Sequence, residues 1–445
     1  MAAKKTKIVM VGGGSYGWAP KIISDMMHEP VLAGSEVTLL DINLTAANEV
    51  KGAVEKMAST LGVDFSFKVT NSQDEAFKGA DYVAITISTG GFDSMKFDLK
   101  IPEKYGIFQT VGDTVGAGGW SRSLRNVPVF MDMARKIEKL SPRAVIMNYT
   151  NPMATLTGAI YATSSLRTVG LCHGVFAAYN LLQKIFNVKE EDIAVSYAGV
   201  NHFFWILDFT VKGEPGYPLL AKKLKNKTID EYFAEVYKDE AGMLSHKHEL
   251  CDMLYREFGL IPYPGDRHTC EFMSGYLNNG EKALKRFGLV RTTIEERIKG
   301  AKDRRKYVAE LASGKRAPYE RSRETAVDIM KSYVSGKPFI DVVNMPNQGQ
   351  VANLPAGSVV ETMGLVDARG FTPLAAGKIP ARIQPMLEVH CKVQMMTLDA
   401  ALKGDREAAI SALRLDPQCS HLSPGDVRAM GNELIKATKA WLPQF

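Results

Sequence analysis

Cysteine is scarce in this sequence, with five in 445 residues and no Cys-x-x-Cys pair. An odd number of widely separated cysteines excludes the disulfide framework of a small secreted domain. It fits a reducing compartment, where thiols remain available for chemistry. The start of the chain, MAAKKTKIVMV, lacks the long apolar region and small-residue cleavage site of a secretory signal, so we expect a cytoplasmic protein.

Long apolar runs and a strong charge are also missing. No stretch approaches the roughly 18 apolar residues that a membrane span needs, and there is no low-complexity tract or evident repeat. The net charge is +6, with basic and acidic residues interspersed, so neither a membrane nor a nucleic-acid partner is indicated. A chain of this length is expected to form more than one domain.

A glycine-rich turn is the first informative feature. The run KIVMV predicts a buried parallel strand and leads into Gly12, Gly14 and Gly17, a G-x-G-x-x-G pattern followed by a helix. These glycines permit a tight turn, close approach of the backbone to a pyrophosphate, and close helix–strand packing. Asp41 ends the next strand, EVTLLDIN, where a carboxylate can bind a ribose, so NAD is favoured over NADP. Ser15, in the turn, is expected to bind the cofactor too.

Further strands are predicted at 80–88, 143–150 and 167–172, separated by helices. This alternation predicts an α/β fold with a Rossmann-like, doubly wound parallel sheet. Ligands then bind at the carboxyl ends of strands, in the loops STGGFDSM, NYTNPM and CHGV. Asn148, at one strand end, is expected to contact NAD. We assign residues 1–195 to the NAD-binding domain and 196–445 to an α+β substrate-binding and oligomerisation domain, as in lactate and malate dehydrogenases.

The CHGV loop places Cys172 and His173 where this fold binds ligands. Segment 192–209 alternates like one strand, with Asn201 and His202 part-way along it. His173 and His202 could join Cys172 at a metal ion, although inert core side chains are the alternative reading. The spacing does not suit a structural zinc site.

The motifs, taken in order, resemble glycoside hydrolase family 4, whose members are NAD- and metal-dependent glycosidases. The resemblance is nearest to the α-uronidases of that family. It implies that Cys172 and His202 bind Mn²⁺ or another divalent cation, and that the chain forms homodimers or homotetramers. The segments that carry it are VGGGSYGW, VGDTVGAGG (111–119), NYTNPM (148–153), CHGV (172–175), GVNHFFW (199–205), IPYPGDRH (261–268) and VNMPNQGQVANLP (343–355).

The resemblance also implies a reaction by oxidation, elimination, addition and reduction, to which family 4 owes its place outside the two-carboxylate glycosidases. Asp266 is expected to be the base that removes the proton from the second carbon of the sugar, with Tyr263 as the second choice. Asn151 matches an asparagine that contacts substrate hydroxyls, although an asparagine in a turn before Pro152 would serve structure alone.

Other residues bear on the sugar. His173 indicates an unphosphorylated substrate and is expected to protonate the leaving group or to hydrogen-bond the substrate. Arg267 and His268 could pair with a uronate carboxylate, or Arg267 could be a solvated charge. Gly174 resembles the α-glucuronidases, whereas the later motifs resemble the α-galacturonidases, so the configuration at the fourth carbon stays open. The polar segment NMPNQGQ fits either a substrate-facing loop or a packed turn.

The leading hypothesis is therefore an exo-acting α-glycosidase for unphosphorylated uronic-acid glycosides, α-galacturonides or α-glucuronides. The alternatives are an α-galactosidase or α-glucosidase of the same family, a dehydrogenase that releases NADH, and a regulator that only senses the dinucleotide.

Overall fold

The computed structural model describes residues 6–236, 247–278 and 280–445. In the first part of the chain, strands alternate with helices. The strands are β1 (Lys7–Val11), β2 (Glu36–Leu40), β3 (Ser66–Thr70), β4 (Tyr82–Ile85), β5 (Val145–Asn148) and β6 (Arg167–Gly170). The helices are α1 (Ala19–Met27), α2 (Leu44–Leu61), α3 (Gln73–Phe77), α4 (Gly91–Glu103), α5 (Gly116–Leu140), α6 (Met153–Thr163) and α7 (Gly174–Phe186).

These six strands are parallel and lie in the order β3-β2-β1-β4-β5-β6. This is the strand order of dinucleotide-binding domains, so the predicted doubly wound sheet is confirmed. The sequence analysis did not identify β3, whose half-exposed pattern is that of an edge strand. The three predicted ligand loops follow β4, β5 and β6, at one edge of the sheet.

Alternate residues of the central strand β1 enter two different cores, because side chains of a strand point to opposite faces. Ile8 and Met10 pack with α1 and α2, whereas Val9 and Val11 pack with α5 and α6. Helices therefore cover both faces of the sheet, which explains why its central strands are apolar throughout.

The second part of the chain contains the remaining strands, β7 (Ile193–Val200), β8 (Phe203–Val211), β9 (Glu214–Pro215), β10 (Phe339–Pro346), β11 (Val359–Asp367) and β12 (Gly370–Pro373). Its helices are α8 (Gly216–Leu224), α9 (Ile229–Val236), α10 (Glu249–Phe258), α11 (Asp266–Thr269), α12 (Glu281–Arg286), α13 (Ile294–Ala312), α14 (Ala326–Ser335), α15 (Gln384–Lys403), α16 (Arg406–Arg414) and α17 (Pro424–Ala437).

These strands continue the same sheet by antiparallel pairing, in the order β6-β10-β11-β7-β8-β9. The contacts at the two joins are short: Asn344 pairs with Gly170 of β6, and Glu361 pairs with Gly199 of β7. The domain boundary expected after residue 195 lies within β7 and stays a prediction.

The sequence analysis expected segment 192–209 to be one strand, and this expectation is wrong. β7 and β8 form a hairpin in which Val200 pairs with Phe203, so Asn201 and His202 make a two-residue turn. His202 has φ +65°, a left-handed conformation that favours glycine. Asn201, a common turn residue, was a signal that the sequence analysis passed over. The turn puts His202 at a strand end, where ligands bind.

All five cysteines are free and buried, in agreement with the absence of a disulfide pattern. Within the described residues, no helix combines the length and the apolar character that a bilayer crossing requires.

Candidate active site

The turn after β1 is closed by its own backbone. The N–H groups of Gly12 and Gly13 both donate to the carbonyl oxygen of Leu40, at 2.9 and 3.1 Å, which ties the turn to the end of β2. Gly12 has φ +86°, and a Cβ atom there would lie 2.7 Å from the carbonyl oxygen of Thr86. Only glycine fits this position, as a turn that brings backbone against a pyrophosphate requires.

The third glycine has a different neighbour from the one predicted. A Cβ atom at Gly17 would contact Cδ of Arg304, at 3.0 Å, and no atom of a strand. The expectation of helix–strand packing at Gly17 is therefore wrong, and α13 from the second part of the chain lies beside the glycine turn.

Asp41 holds the turn from the other side. One carboxylate oxygen accepts a hydrogen bond from the Gly14 N–H and the other from the Asn43 N–H, both at 2.8 Å. A carboxylate has about four acceptor positions, so both oxygens keep capacity for ribose hydroxyls. Ser15 lies in the same turn, and its hydroxyl oxygen accepts from the Trp18 N–H at 3.3 Å.

The two asparagines of the NYTNPM loop, Asn148 and Asn151, differ in their hydrogen bonding. The Asn148 amide is occupied inside the loop: it donates to Thr157 at 3.1 Å and accepts from the Thr150 N–H at 2.8 Å. Asn151 precedes a cis peptide bond to Pro152, and its side-chain oxygen is buried with no hydrogen-bond partner among the described residues. A buried oxygen without a partner fits the expected contact with substrate.

His173 lies beside the dinucleotide turn. Its ring centroid is 6.0 Å from that of Trp18, and its Nδ1 is 3.8 Å from Oε1 of Glu324. With 58% of its side chain exposed, His173 is open to solvent, unlike Cys172, which is 7% exposed. The CHGV loop and the glycine turn thus share one side of the molecule.

Cys172 and His202 both lie next to the ring of Tyr263. The position of a Cβ atom at Gly174 is 3.4 Å from Sγ of Cys172 and 3.1 Å from Cε2 of Tyr263, and the rings of Tyr263 and His202 stack with centroids 5.8 Å apart. The glycine at 174 therefore makes room for the tyrosine ring. Burial raises the pKa of the Cys172 thiol and lowers the pKa of His202, so both groups are neutral here.

Thr114 was not found by the sequence analysis and orients His202. Its hydroxyl is 3.1 Å from Nδ1 of His202 and donates to Asp113 at 2.8 Å. Because Nδ1 is engaged, Nε2 remains for a metal ion, an arrangement common among metal-binding histidines. The family motif VGDTVGAGG contains both Asp113 and Thr114, but the sequence did not link it to His202.

The two residues considered for the base have different surroundings. Burial raises the pKa of Asp266 to about 6, and its carboxylate accepts hydrogen bonds from two backbone N–H groups at the start of α10. Burial also raises the pKa of Tyr263, whose ring lies beside Cys172 and His202.

A cavity of about 650 Å³ opens beside these residues, lined by Tyr263, Asp266, Arg267 and His268. The rings of His268 and His202 are 4.0 Å apart. Burial lowers the pKa of His268 to about 4, so His268 can offer a uronate a neutral hydrogen bond and not a positive charge.

Models of the family described as family 4 glycosyl hydrolase match residues 7–188, and its C-terminal domain matches residues 197–419. The chain belongs to glycosyl hydrolase family 4. An α-galacturonidase of Thermoanaerobacter italicus is 35% identical to this family-4 hydrolase over 453 residues, covering 98% of this chain and 97% of that protein.

Solved structures agree with this membership. The structure of LplD of Bacillus subtilis, described as a glucosidase, matches with a TM-score of 0.88 and 30% identity, covering 97% of this chain and 99% of LplD. A 6-phospho-β-glucosidase of Thermotoga maritima, solved with manganese, NAD⁺ and glucose-6-phosphate, shares the fold with a TM-score of 0.80 and 23% identity, covering 98% and 99% of the two chains.

The donor set of this family-4 hydrolase fits a divalent ion that also binds substrate. No group of three or more His, Cys, Asp or Glu side chains could hold a metal among the described residues. A thiol and an imidazole are present, and the imidazole is neutral and oriented by Thr114. Oxygen atoms of substrate or water would have to complete the coordination.

A buried glutamate ties together the two loops that carry the thiol and the imidazole. Glu361 accepts hydrogen bonds from the side-chain amides of Asn344 at 3.0 Å and Asn201 at 3.3 Å, and Asn344 also donates to Gly170. Burial raises the pKa of Glu361 to about 7. The sequence signal was a charged residue inside the apolar run SVVETMGLV, which the sequence analysis passed over.

The sequence analysis left two roles open for the polar segment NMPNQGQ, a substrate-facing loop or a packed turn, and the structure shows residues of both kinds. Asn344 joins the Glu361 network, next to the site. Asn347 instead donates to the carbonyl oxygens of Val351 and Leu354, both at 2.9 Å, and holds a packed turn.

Proposed function

We propose that this family-4 hydrolase cleaves α-glycosides of unphosphorylated uronic acids, with α-galacturonides as the principal substrates. The observation that carries the proposal is the contact between the two halves of the site: Trp18, directly after the glycine turn, lies against His173, the neighbour of Cys172. A redox cofactor and a metal ion can therefore act on one sugar ring. The relative named α-galacturonidase supports the choice of sugar.

The residues have the following proposed roles. The Gly12–Gly17 turn and Asp41 bind NAD⁺, and Cys172 and His202 bind Mn²⁺ or a similar ion. When bound, NAD⁺ accepts and returns a hydride at the third carbon of the sugar, and the ion polarises the oxygen there. Asn151 orients the sugar hydroxyls, and Arg267 and His268 bind the uronate carboxylate.

Two proton transfers complete the proposal. Tyr263 is the better candidate for the base that takes the proton from the second carbon, because the Asp266 carboxylate is already hydrogen-bonded to backbone. Tyr263 would act as a phenolate: its hydroxyl first releases its own proton to solvent, which a divalent cation held by Cys172 and His202 would favour. Its ring also lies beside both proposed metal ligands, where the reacting carbons would be. His173, exposed at the mouth of the site, is suited to protonate the departing sugar oxygen.

The experiment is an assay of nitrophenyl α-galacturonide, α-glucuronide, α-galactoside and α-glucoside, with NAD⁺, Mn²⁺ and a thiol reductant. We expect the α-galacturonide to be hydrolysed fastest, with no net gain of NADH. Faster cleavage of a neutral glycoside would contradict the choice of substrate. Accumulation of NADH would indicate a dehydrogenase, and cofactor binding without any turnover would indicate a sensor.

An elimination step also predicts that deuterium from the solvent enters the product. Because the proton on the second carbon is removed and replaced, hydrolysis in D₂O should place deuterium at that carbon of the product, detected by NMR. Hydrolysis without deuterium at that carbon argues for direct displacement.

A further inference from the structure

Three buried nitrogen atoms in residues that line the 650 Å³ cavity have no hydrogen-bond partner among the described residues. They are Nε of Arg267, Nε of Arg297 and Nδ1 of His268, and all three residues line the cavity. Buried polar atoms in proteins are nearly always paired, because each one left alone costs roughly 1–3 kcal/mol. Their clustering indicates the position of a ligand that accepts hydrogen bonds.

The two arginines reach the cavity from different elements and are held there by the protein. Arg267 donates through its Nη2 to the hydroxyl of Thr292, and Arg297 donates through its Nη2 to the carbonyl oxygen of Val111 at 2.6 Å. Arg297 lies in the first turn of α13, whose start is fixed by a capping box between Thr293 and Glu296. Each guanidinium thus has a fixed direction and keeps donors for a ligand.

The arginines also lack an acidic partner. Neither guanidinium has a carboxylate oxygen within 4.0 Å among the described residues. Asp113 and Glu271 favour the charged form of Arg297 from a greater distance. The Glu271 carboxylate already accepts hydrogen bonds from the N–H groups of Val111 and Gly112, at 2.8 and 2.9 Å. Half-buried cations without counter-ions are unfavourable, which favours an anionic ligand at this place.

We propose that Arg297 and Arg267 form a clamp for the carboxylate of the uronic-acid ring, and that Arg297 makes the enzyme select uronides over neutral hexosides. Each arginine donates from Nε to the carboxylate, and Nδ1 of His268 donates to a neighbouring oxygen. This inference rests on the proposed function and adds to it a residue that no sequence motif identified. Guanidinium–carboxylate pairs of this kind are strong and directional.

The test compares kcat/KM for nitrophenyl α-galacturonide and α-galactoside in the holoenzyme with NAD⁺ and Mn²⁺. Arg297→Gln should lower kcat/KM for the galacturonide by about 10²-fold or more and change that for the galactoside by less than about threefold. Arg297→Lys should restore the galacturonide activity only in part, since an ammonium cannot reproduce the directional contact. Lys302→Gln, which removes a charge from the exposed face of the same helix, should change neither rate.

An equal loss on both substrates would show that Arg297 only supports the fold of the site, and unchanged selectivity would show that it does not contact the carboxylate. Either result overturns the proposal. Calorimetric titration of the NAD⁺-loaded protein with free galacturonate and galactose gives a readout without turnover. Binding of galacturonate that Arg297→Gln abolishes supports the clamp even if the wild type hydrolyses no uronide, whereas no binding by the wild type overturns it.

Discussion

The carboxylate of Asp266 accepts a hydrogen bond from the backbone N–H of Leu250 at 2.8 Å. Its second oxygen accepts from Cys251 at 3.0 Å, so Asp266 holds the first turn of α10. Sequence resemblance made Asp266 the first choice for the base, but its hydrogen bonds favour a role in positioning α10 beside the cavity. No hydrogen bond of this kind involves the hydroxyl of Tyr263 among the described residues.

Exchange of the two residues separates these roles. Tyr263→Phe should lower kcat by about 10²-fold or more, as expected for removal of a general base, without lowering the temperature of unfolding. Asp266→Asn should lower kcat less and reduce the free energy of unfolding by about 1–2 kcal/mol, because a backbone N–H loses its charged acceptor. Steady-state kinetics and thermal unfolding measure both. The reverse ranking of the two kcat values would return the base to Asp266.

Thr114 should tune metal binding through His202. Thr114→Val removes the hydroxyl 3.1 Å from Nδ1, and loss of such an orienting partner typically weakens metal binding by 10–100-fold. We expect the dissociation constant for Mn²⁺ to rise by this factor, measured by electron paramagnetic resonance of the free ion. Thr168→Val is the matched control, since Thr168 is also buried and its hydroxyl donates to the carbonyl oxygen of Leu166, away from His202. Equal Mn²⁺ affinity in the two variants would argue against His202 as a ligand.

Asp41 should matter for the cofactor and not for the sugar. Asp41→Ala removes the acceptor of the Gly14 N–H and the proposed ribose contact, so NAD⁺ should bind about 10–100-fold more weakly. The measurement is calorimetric titration with NAD⁺, with Asp74→Ala, an exposed aspartate of α3 outside the three ligand loops, as the control. Unchanged affinity in Asp41→Ala would mean that the dinucleotide lies elsewhere.

Glu271 should give a pH dependence of stability. Burial raises the pKa of Glu271 to about 7, so between about pH 4 and 7 the folded protein retains a proton that the unfolded chain has released. Stability therefore falls as pH rises through this window. Glu271→Gln keeps an acceptor for Val111 and Gly112 but does not titrate.

The free energy of unfolding of Glu271→Gln, minus that of the wild type, should grow by roughly 2–3 kcal/mol from pH 4.5 to pH 7.5. Urea unfolding at several pH values measures this difference. A constant difference across the window would mean that Glu271 titrates at its ordinary pKa in the folded protein.

Local sequence was sufficient for the first half of the fold and for the residues that follow its strands. Apolar strands, a glycine turn and Asp41 are patterns of neighbouring residues, so the parallel sheet and its ligand loops could be predicted. The hairpin at His202 was missed, because Asn201 is a single turn residue inside an otherwise strand-like run and a histidine rarely takes the left-handed conformation. Roles within the site, such as that of Asp266, depend on which backbone groups come near.

The sequence by itself determined that a dinucleotide-type sheet would present Cys172 at a strand end, because strand and turn propensities act over a few residues. The tertiary structure alone decided what surrounds that cysteine. Thr114, Glu361 and Arg297 lie far apart in the chain, and only tertiary packing brings Thr114 against His202, Glu361 against Asn201 and Arg297 into the wall of the cavity. Hydrogen bonds and charges act over a few ångströms in space, and sequence separation does not record such distances.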